Sequence, residues 1–138
     1  MSEPVSVHPP IVQDDPVRAA LESLSEGFQI ISPDFRYVYV NPAAARHGRL
    51  DASDLIQRPM VDAFPGIDRT EMFGVLRRCM EQRTSAVIET DFTFPDGRTR
   101  WFELRIRPVP AGICIYSADI EHRKRPQPLV QRFLSLFR

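Results

Sequence analysis

The chain has 138 residues, 43% of them hydrophobic and 26% charged, a balance that suits one globular domain with a single core. Its 18 basic and 18 acidic residues cancel, so no net field collects nucleic acid and a general DNA or RNA binder is not expected. The longest apolar runs fall far short of the ~20 residues that cross a bilayer, and Met1–Pro10 lacks the basic start and apolar stretch of a secretory leader.

Pro4, Pro9, Pro10 and Pro16 crowd the beginning, and residues 1–14 read as a flexible tail. Asp15-Pro16 has the form of a helix cap followed by proline at the first helical position. Val17, Ala20, Leu21 and Leu24 then recur at helical spacing, so residues 15–26 are predicted as a flanking helix. A hairpin follows, with strands Phe28–Ser32 and Arg36–Val40 around the turn Ser32-Pro33-Asp34-Phe35. Asn41-Pro42 opens a short helix that Gly48 can close in a left-handed conformation. Asp51 and Asp54 mark another short helical start before Leu55-Ile56. Asp68 and Glu71 have the spacing of a reciprocal cap for a longer helix ending near Arg83. Its apolar stripe is Met72, Val75, Leu76, Cys79 and Met80.

The last third alternates as strands. Ile88, Thr90, Phe92 and Phe94 share one face, as do Phe102, Leu104 and Ile106. For the even residues of both strands to face one way, the loop between them must hold an odd number of residues; Asp96-Gly97-Arg98 fits. Ile113–Ile120 makes a fifth strand after a turn at Pro108–Gly112. The opposite face carries Trp101, together with either Tyr37 and Tyr39 or Val38 and Val40. An exposed tryptophan on a sheet calls for a cover. Leu21 and Leu24 of the first helix are one candidate, and a second subunit is another. Residues 121–138 are predicted as a charged, proline-broken linker and a short amphipathic helix. Its stripe, Leu129, Val130, Phe133, Leu134 and Phe137, is too short to be stable alone in water. It is expected to dock on the sheet or a partner; contact of residues 129–138 with a membrane surface is the less favoured alternative.

Several motifs in order resemble the PAS family of sensory modules, as found in bacterial histidine kinases. They are Glu26-Gly27-Phe28, Tyr37-Val38-Tyr39-Val40-Asn41-Pro42-Ala43-Ala44, Asp54-Leu55-Ile56-Gln57-Arg58, Phe64-Pro65-Gly66, Asp96-Gly97-Arg98 with Trp101, and Asp119-Ile120-Glu121-His122-Arg123-Lys124. The likeness covers about residues 17–125. It implies an α+β fold: a five-stranded antiparallel sheet with short helices and one longer helix on one face, plus flanking terminal helices. The core would span residues 27–120. Gln57 departs from the family's glycine, so the turn there is expected to differ. Pro126 and Pro128 interrupt the helix that usually follows the closing motif.

No metal-ligand spacing occurs among His8, His47, His122, Cys79 and Cys114, and no nucleophile or phosphate-loop motif is present, so neither catalysis nor a metal is expected. Lys124 is the sole lysine, which also argues against an amine catalyst. By resemblance, a haem-binding member would carry a histidine on the longer helix, and a cysteinyl-flavin member a cysteine within residues 55–67; both are missing here. Cys79 and Cys114 read as buried packing thiols kept reduced in a cytoplasmic protein. What remains is an apolar space walled by Ile30, Met72, Val75, Leu76, Cys79, Phe92, Phe102 and Leu104. It is either filled core or a pocket for a small molecule bound without a covalent link. His47 ends a short helix, where the dipole favours a cation; it reads as a cap, with a pH-responsive or ligand contact as the alternative. Arg98, Arg100, Arg105 and Arg107 are expected to form a charge-balanced ladder with Glu89, Asp91 and Glu103.

The closing motif supplies the signalling residues Asp119, Ile120, Arg123 and Lys124. Asp119 is expected to pair with an arginine of the hairpin between the third and fourth strands. The resemblance therefore implies a sensory module that binds a small ligand or protein partner and relays a change through its terminal segments. The alternative is a ligand-free interaction module that forms a homodimer through Leu21, Leu24 and Trp101. With about 109 residues used by one fold, any output is expected from another chain or a further C-terminal portion.

Overall fold

The computed structural model describes residues 15–94 and 96–124. The expected tail at 1–14 and the amphipathic stripe at 129–137 lie outside the described residues. Helix α1 is Pro16–Ser23, started by the Asp15 carboxylate, which accepts from the Val17 amide at 2.9 Å. Strands β1 (Gly27–Ile31) and β2 (Tyr37–Val40) form the first hairpin. Short helices α2 (Pro42–Gly48), α3 (Ala52–Leu55) and α4 (Met60–Ala63) follow, then a 3-10 turn at Ile67–Arg69 and the longer helix α5 (Glu71–Gln82). Strands β3 (Ala86–Thr93), β4 (Thr99–Val109) and β5 (Gly112–Asp119) and helix α6 (Glu121–Lys124) complete the order.

The strands make one antiparallel sheet in the order β2-β1-β5-β4-β3. The core lies between this sheet and α2 to α5. Ile31, Ile106, Ile113 and Ile115 of the sheet and Leu76 and Cys79 of α5 are almost fully buried there. The even-numbered side chains of β3 and β4 face this layer, as the parity argument requires.

Several local expectations shift. Arg49, not Gly48, takes the left-handed position after α2, at φ 59°. Gly48 instead packs tightly: a Cβ there would sit 3.0 Å from the Phe64 ring. Thr70, not Asp68, caps α5, its hydroxyl accepting from the Phe73 amide at 3.2 Å. Phe73 is therefore buried on the helix face, a position the stripe omitted. The β3–β4 loop closes between Phe94 and Arg98, one position earlier than Asp96–Arg98, with Gly97 at φ 86°. A bulge between Ile30 and Ile31 breaks strict alternation opposite β2. Tyr37 and Val40 are consequently both buried while Val38 is exposed, so neither pair shares the outer face as a pair. Gln57 adopts φ 70°, the conformation a glycine would take, so the turn is kept despite the substitution.

Within the chain, Trp101 is covered not by α1 but by α6. Helix α1 sits by the β2 edge, where Arg18 lies 5.6 Å from the centre of the Tyr39 ring. Leu24 remains partly exposed. Trp101 is three strands away on β4, and the ammonium of Lys124 lies 4.6 Å from its ring centre.

Candidate functional site

Asn41 organises the entrance to the layer between sheet and helices. Fully buried, its carbonyl oxygen accepts from the Phe28 amide at 2.9 Å and the Ala44 amide at 2.8 Å. Its amide nitrogen donates to the carbonyls of Leu21 and Glu26 at 2.9 and 3.1 Å. One side chain thereby joins α1, β1 and α2, and all its hydrogen-bonding capacity is used. The sequence showed only its capping role.

Beneath α2 lies a cavity of about 90 Å³. Met72 and Leu76 of α5, Phe92 of β3, and Phe102 and Leu104 of β4 line it, as expected from the sequence. Three residues expected on its wall lie elsewhere. Ile30 points to the other sheet face, opposite Tyr39 and Cys114 in register, because the inward positions of β1 are Gln29 and Ile31. Val75 lies on the outer side of α5, facing a surface groove with Ile88. Cys79 is buried in the core but outside the cavity. Burial pushes the thiols of Cys79 and Cys114 up, which keeps both protonated and poorly nucleophilic.

Of the cavity's polar side, the sequence offered only His47, as the second reading of that residue. Gln29, His47, Thr90 and Ser117 line it. His47 Nδ1 is 3.0 Å from Ser117 Oγ, and the imidazole packs 5.1 Å from the Phe102 ring. His47 therefore lies on the cavity wall rather than acting as a helix-end cap. Burial is the largest influence and lowers its pKa; Asp119 nearby opposes this, while Arg46 and Arg100 add to it. The available signal was Gly27, whose missing Cβ leaves the space that His47, Ala44 and Ser117 occupy.

Asp119 ends β5 beside this site. Arg100 of β4 donates to one of its oxygens through Nε at 2.8 Å, and its Nη2 lies 2.8 Å from the same oxygen as an ion pair. The other oxygen accepts from the Glu121 amide at 2.9 Å, at the start of α6. The Glu121 carboxylate in turn accepts from the Trp101 amide at 3.0 Å, and the Ile120 amide donates to the Trp101 carbonyl at 2.9 Å. Ile120 is buried. On the outer face, Lys124 reaches Glu89 at 2.7 Å, and Arg123 lies 4.0 Å from Glu89 and 3.9 Å from Glu103. The expected ladder is therefore replaced: the acids of β3 and β4 meet the cations of α6, and Arg105 pairs instead with Glu26 at 2.7 Å.

A family model described as the PAS fold matches residues 21–125. Among solved structures, an RNA-binding light-oxygen-voltage receptor superposes with TM-score 0.70 and 18% identity, over 94% of this chain and 40% of that one. A domain of a sensory box sensor histidine kinase/response regulator from Geobacter sulfurreducens gives 0.63 and 19%, over 83% of this chain and 100% of that one. The PAS domain of nitrogen regulation protein NR(II) from Vibrio parahaemolyticus gives 0.60 and 16%, over 76% and 98%. No curated protein matches the chain in sequence. No helix among the described residues is long and apolar enough to cross a membrane.

Proposed function

The chain belongs to the PAS-fold family. From that premise we propose that it is a sensory module whose cavity takes a small, mostly apolar ligand and whose occupancy is relayed to α6. The observation that carries this reading is the shared wall. Phe102 and Ser117 line the cavity, while their neighbours in sequence and space, Trp101 and Asp119, hold α6. Adjacent residues of a strand face opposite sides, so a displacement of Phe102 moves Trp101 with it. Its size favours a ligand far smaller than a flavin or haem, since sites for drug-sized molecules span ~300–1,000 Å³. Signal output is expected from a partner or another domain.

The test follows both ends at once. A set of small organic molecules is titrated into protein carrying 13C-labelled methionine methyls, and Trp101 emission is recorded in parallel. Any molecule that shifts the Met72 resonance is expected to change Trp101 emission as the Lys124 contact rearranges. Binders that leave Trp101 unchanged in every case would remove the relay from the reading.

A second reading, an interaction module that forms a homodimer, is favoured by one observation. Val87 is 65% exposed on the outer face of the edge strand β3. If that face joins two copies, Val87→Glu converts a dimer to a monomer in sedimentation analysis; an unchanged mass excludes this face.

A further inference from the structure

Apart from Thr90 of β3, the cavity's polar lining lies on one side, where Gln29 of β1, His47 of α2 and Ser117 of β5 come together. Gly27 and Gln29 lie opposite Ser117 and Ile115 in register, which makes Gln29 and Ser117 diagonal neighbours on the inner face. Diagonal side chains at this spacing come within reach of one another. His47 and Ser117 share one hydrogen bond of 3.0 Å.

The three side chains hold more hydrogen-bonding capacity than the protein uses. An imidazole has two nitrogens, a hydroxyl one donor and two lone pairs, and an amide two donors and an acceptor oxygen. Among the described residues, neither the Gln29 amide nor His47 Nε2 has a hydrogen-bond partner. Both residues are half-buried, and their unpaired polar atoms stay accessible, so a ligand can reach them. The arrangement is also built rather than incidental. A Cβ at position 27 would collide with Ser117 Oγ and lie 3.1 Å from His47 Nδ1, so the glycine makes the pair possible.

We propose that this wall binds the hydroxyl or carbonyl oxygen of a small uncharged ligand, whose apolar body lies against Met72, Leu76, Phe92 and Leu104. The proposal rests on the cavity being a ligand site and names the ligand's chemical class. Size sets the upper bound. An engineered cavity of ~150 Å³ admits benzene, so 90 Å³ suits about four heavy atoms, and the adaptable Met60 and Met72 walls can give way for one or two more. Charge sets the class. His47 is held neutral by its burial, and Arg100 is committed to Asp119, so a carboxylate would lose hydration without gaining a free cation. Alcohols and ketones suffer no such loss.

The test uses the full chain with 13C-labelled methionine methyls and four probes: 2-butanol, 2-butanone, butyrate, and 2-methylbutane, which replaces the hydroxyl of 2-butanol by a methyl. The variants are Gln29→Leu and Ser117→Ala, with folding verified by Trp101 emission. In the native protein 2-butanol and 2-butanone shift the Met60 or Met72 methyls, and butyrate does not. Each variant is expected to weaken 2-butanol about tenfold, the worth of one buried hydrogen bond, and to leave 2-methylbutane unchanged or tighter. Unchanged 2-butanol affinity in both variants overturns the polar subsite while the cavity reading stands. Tightest binding by butyrate overturns the uncharged class. If no probe moves Met60 or Met72 up to its solubility, the cavity reading itself falls.

Discussion

The two faces of the sheet solve opposite problems. The inner face of β4 and β5 presents Phe102, Leu104, Ile106, Ile113 and Ile115 to a packed layer, interrupted by one polar wall. The outer face of β3 and β4 presents Glu89, Trp101 and Glu103 to the cations of α6. The inner face gains stability from burial, and the outer contacts are exposed ion pairs that contribute little each. A structure held firmly on one side and loosely on the other can move a terminal segment without losing its core. The weak face, not the strong one, is where a terminal segment can shift at little cost in stability.

The largest expected effect breaks the strong side. Phe102→Ala should cost about 3–5 kcal/mol in urea unfolding, through lost burial and a cavity next to the existing one. Trp101→Ala, on the weak side of the same strand, should cost clearly less. Equal losses would erase the asymmetry. Asn41→Ala comes next, at about 3 kcal/mol, because it strands the buried Phe28 amide and two carbonyls at once. It should also free α1, seen as rapid hydrogen exchange between residues 16 and 23.

How far these faces could be read from sequence depends on which physical rule fixed each residue. The parity of β3 and β4 placed Phe92, Phe102 and Leu104 on the cavity, because period-two alternation admits one answer once the turn is odd. The same rule misplaced Ile30, since the bulge opposite β2 and the inward turn of Gln29 are tertiary choices. Helical spacing found Leu76 and Cys79 but could not say which side of α5 opens on the cavity, so Val75 was assigned to the wrong groove. His47 reads first as a helix-end cap and only second as a ligand contact because its partner, Ser117, lies seventy residues away. No local pattern carries such a pairing. Asp119 and its arginine were legible only through the family likeness of the closing motif.

Gln57 offers a smaller test of what the sequence can hide. It holds φ 70° where glycine is unstrained, and its amide still donates to the Tyr37 carbonyl at 2.8 Å. Left-handed backbone costs a non-glycine residue about 1–2 kcal/mol, and glycine loses about 0.5–1 kcal/mol in chain entropy. Gln57→Gly should therefore stabilise by about 0.5–1 kcal/mol. A loss would mean that the Gln57 side chain has a contact worth more than the strain.

On the weak face, Lys124→Gln removes the ammonium from both Trp101 and Glu89 and leaves an uncharged polar side chain one atom shorter. Unfolding midpoints should hardly move, since the pair is exposed and screened. Trp101 emission should change, and protease cleavage after Arg123 should quicken. A marked fall in the midpoint would show that the outer face is not the weak one.

The smallest effect is the one that separates the faces most cleanly, because each titrates in its own range. His47 has a folded pKa below its ordinary 6.5, chiefly through burial. The unfolded chain therefore binds a proton first as pH falls, and stability must decline with it. This contribution is intact above about pH 6.5 and is lost as pH falls through the lowered value. Asp34, Glu89 and Asp96 are also held below their ordinary values, by hydrogen bonds and nearby cations on the surface. Their contributions are present above 3.8 to 4.5 and vanish only at lower pH. Salt screens those exposed groups and leaves the buried imidazole largely untouched. In high salt the decline just below pH 6.5 should survive in the native protein and disappear in His47→Gln, whereas the acid limb should shrink in both. If the upper decline shrinks with salt as well, His47 senses surface charge rather than the cavity, and the two faces are electrostatically one.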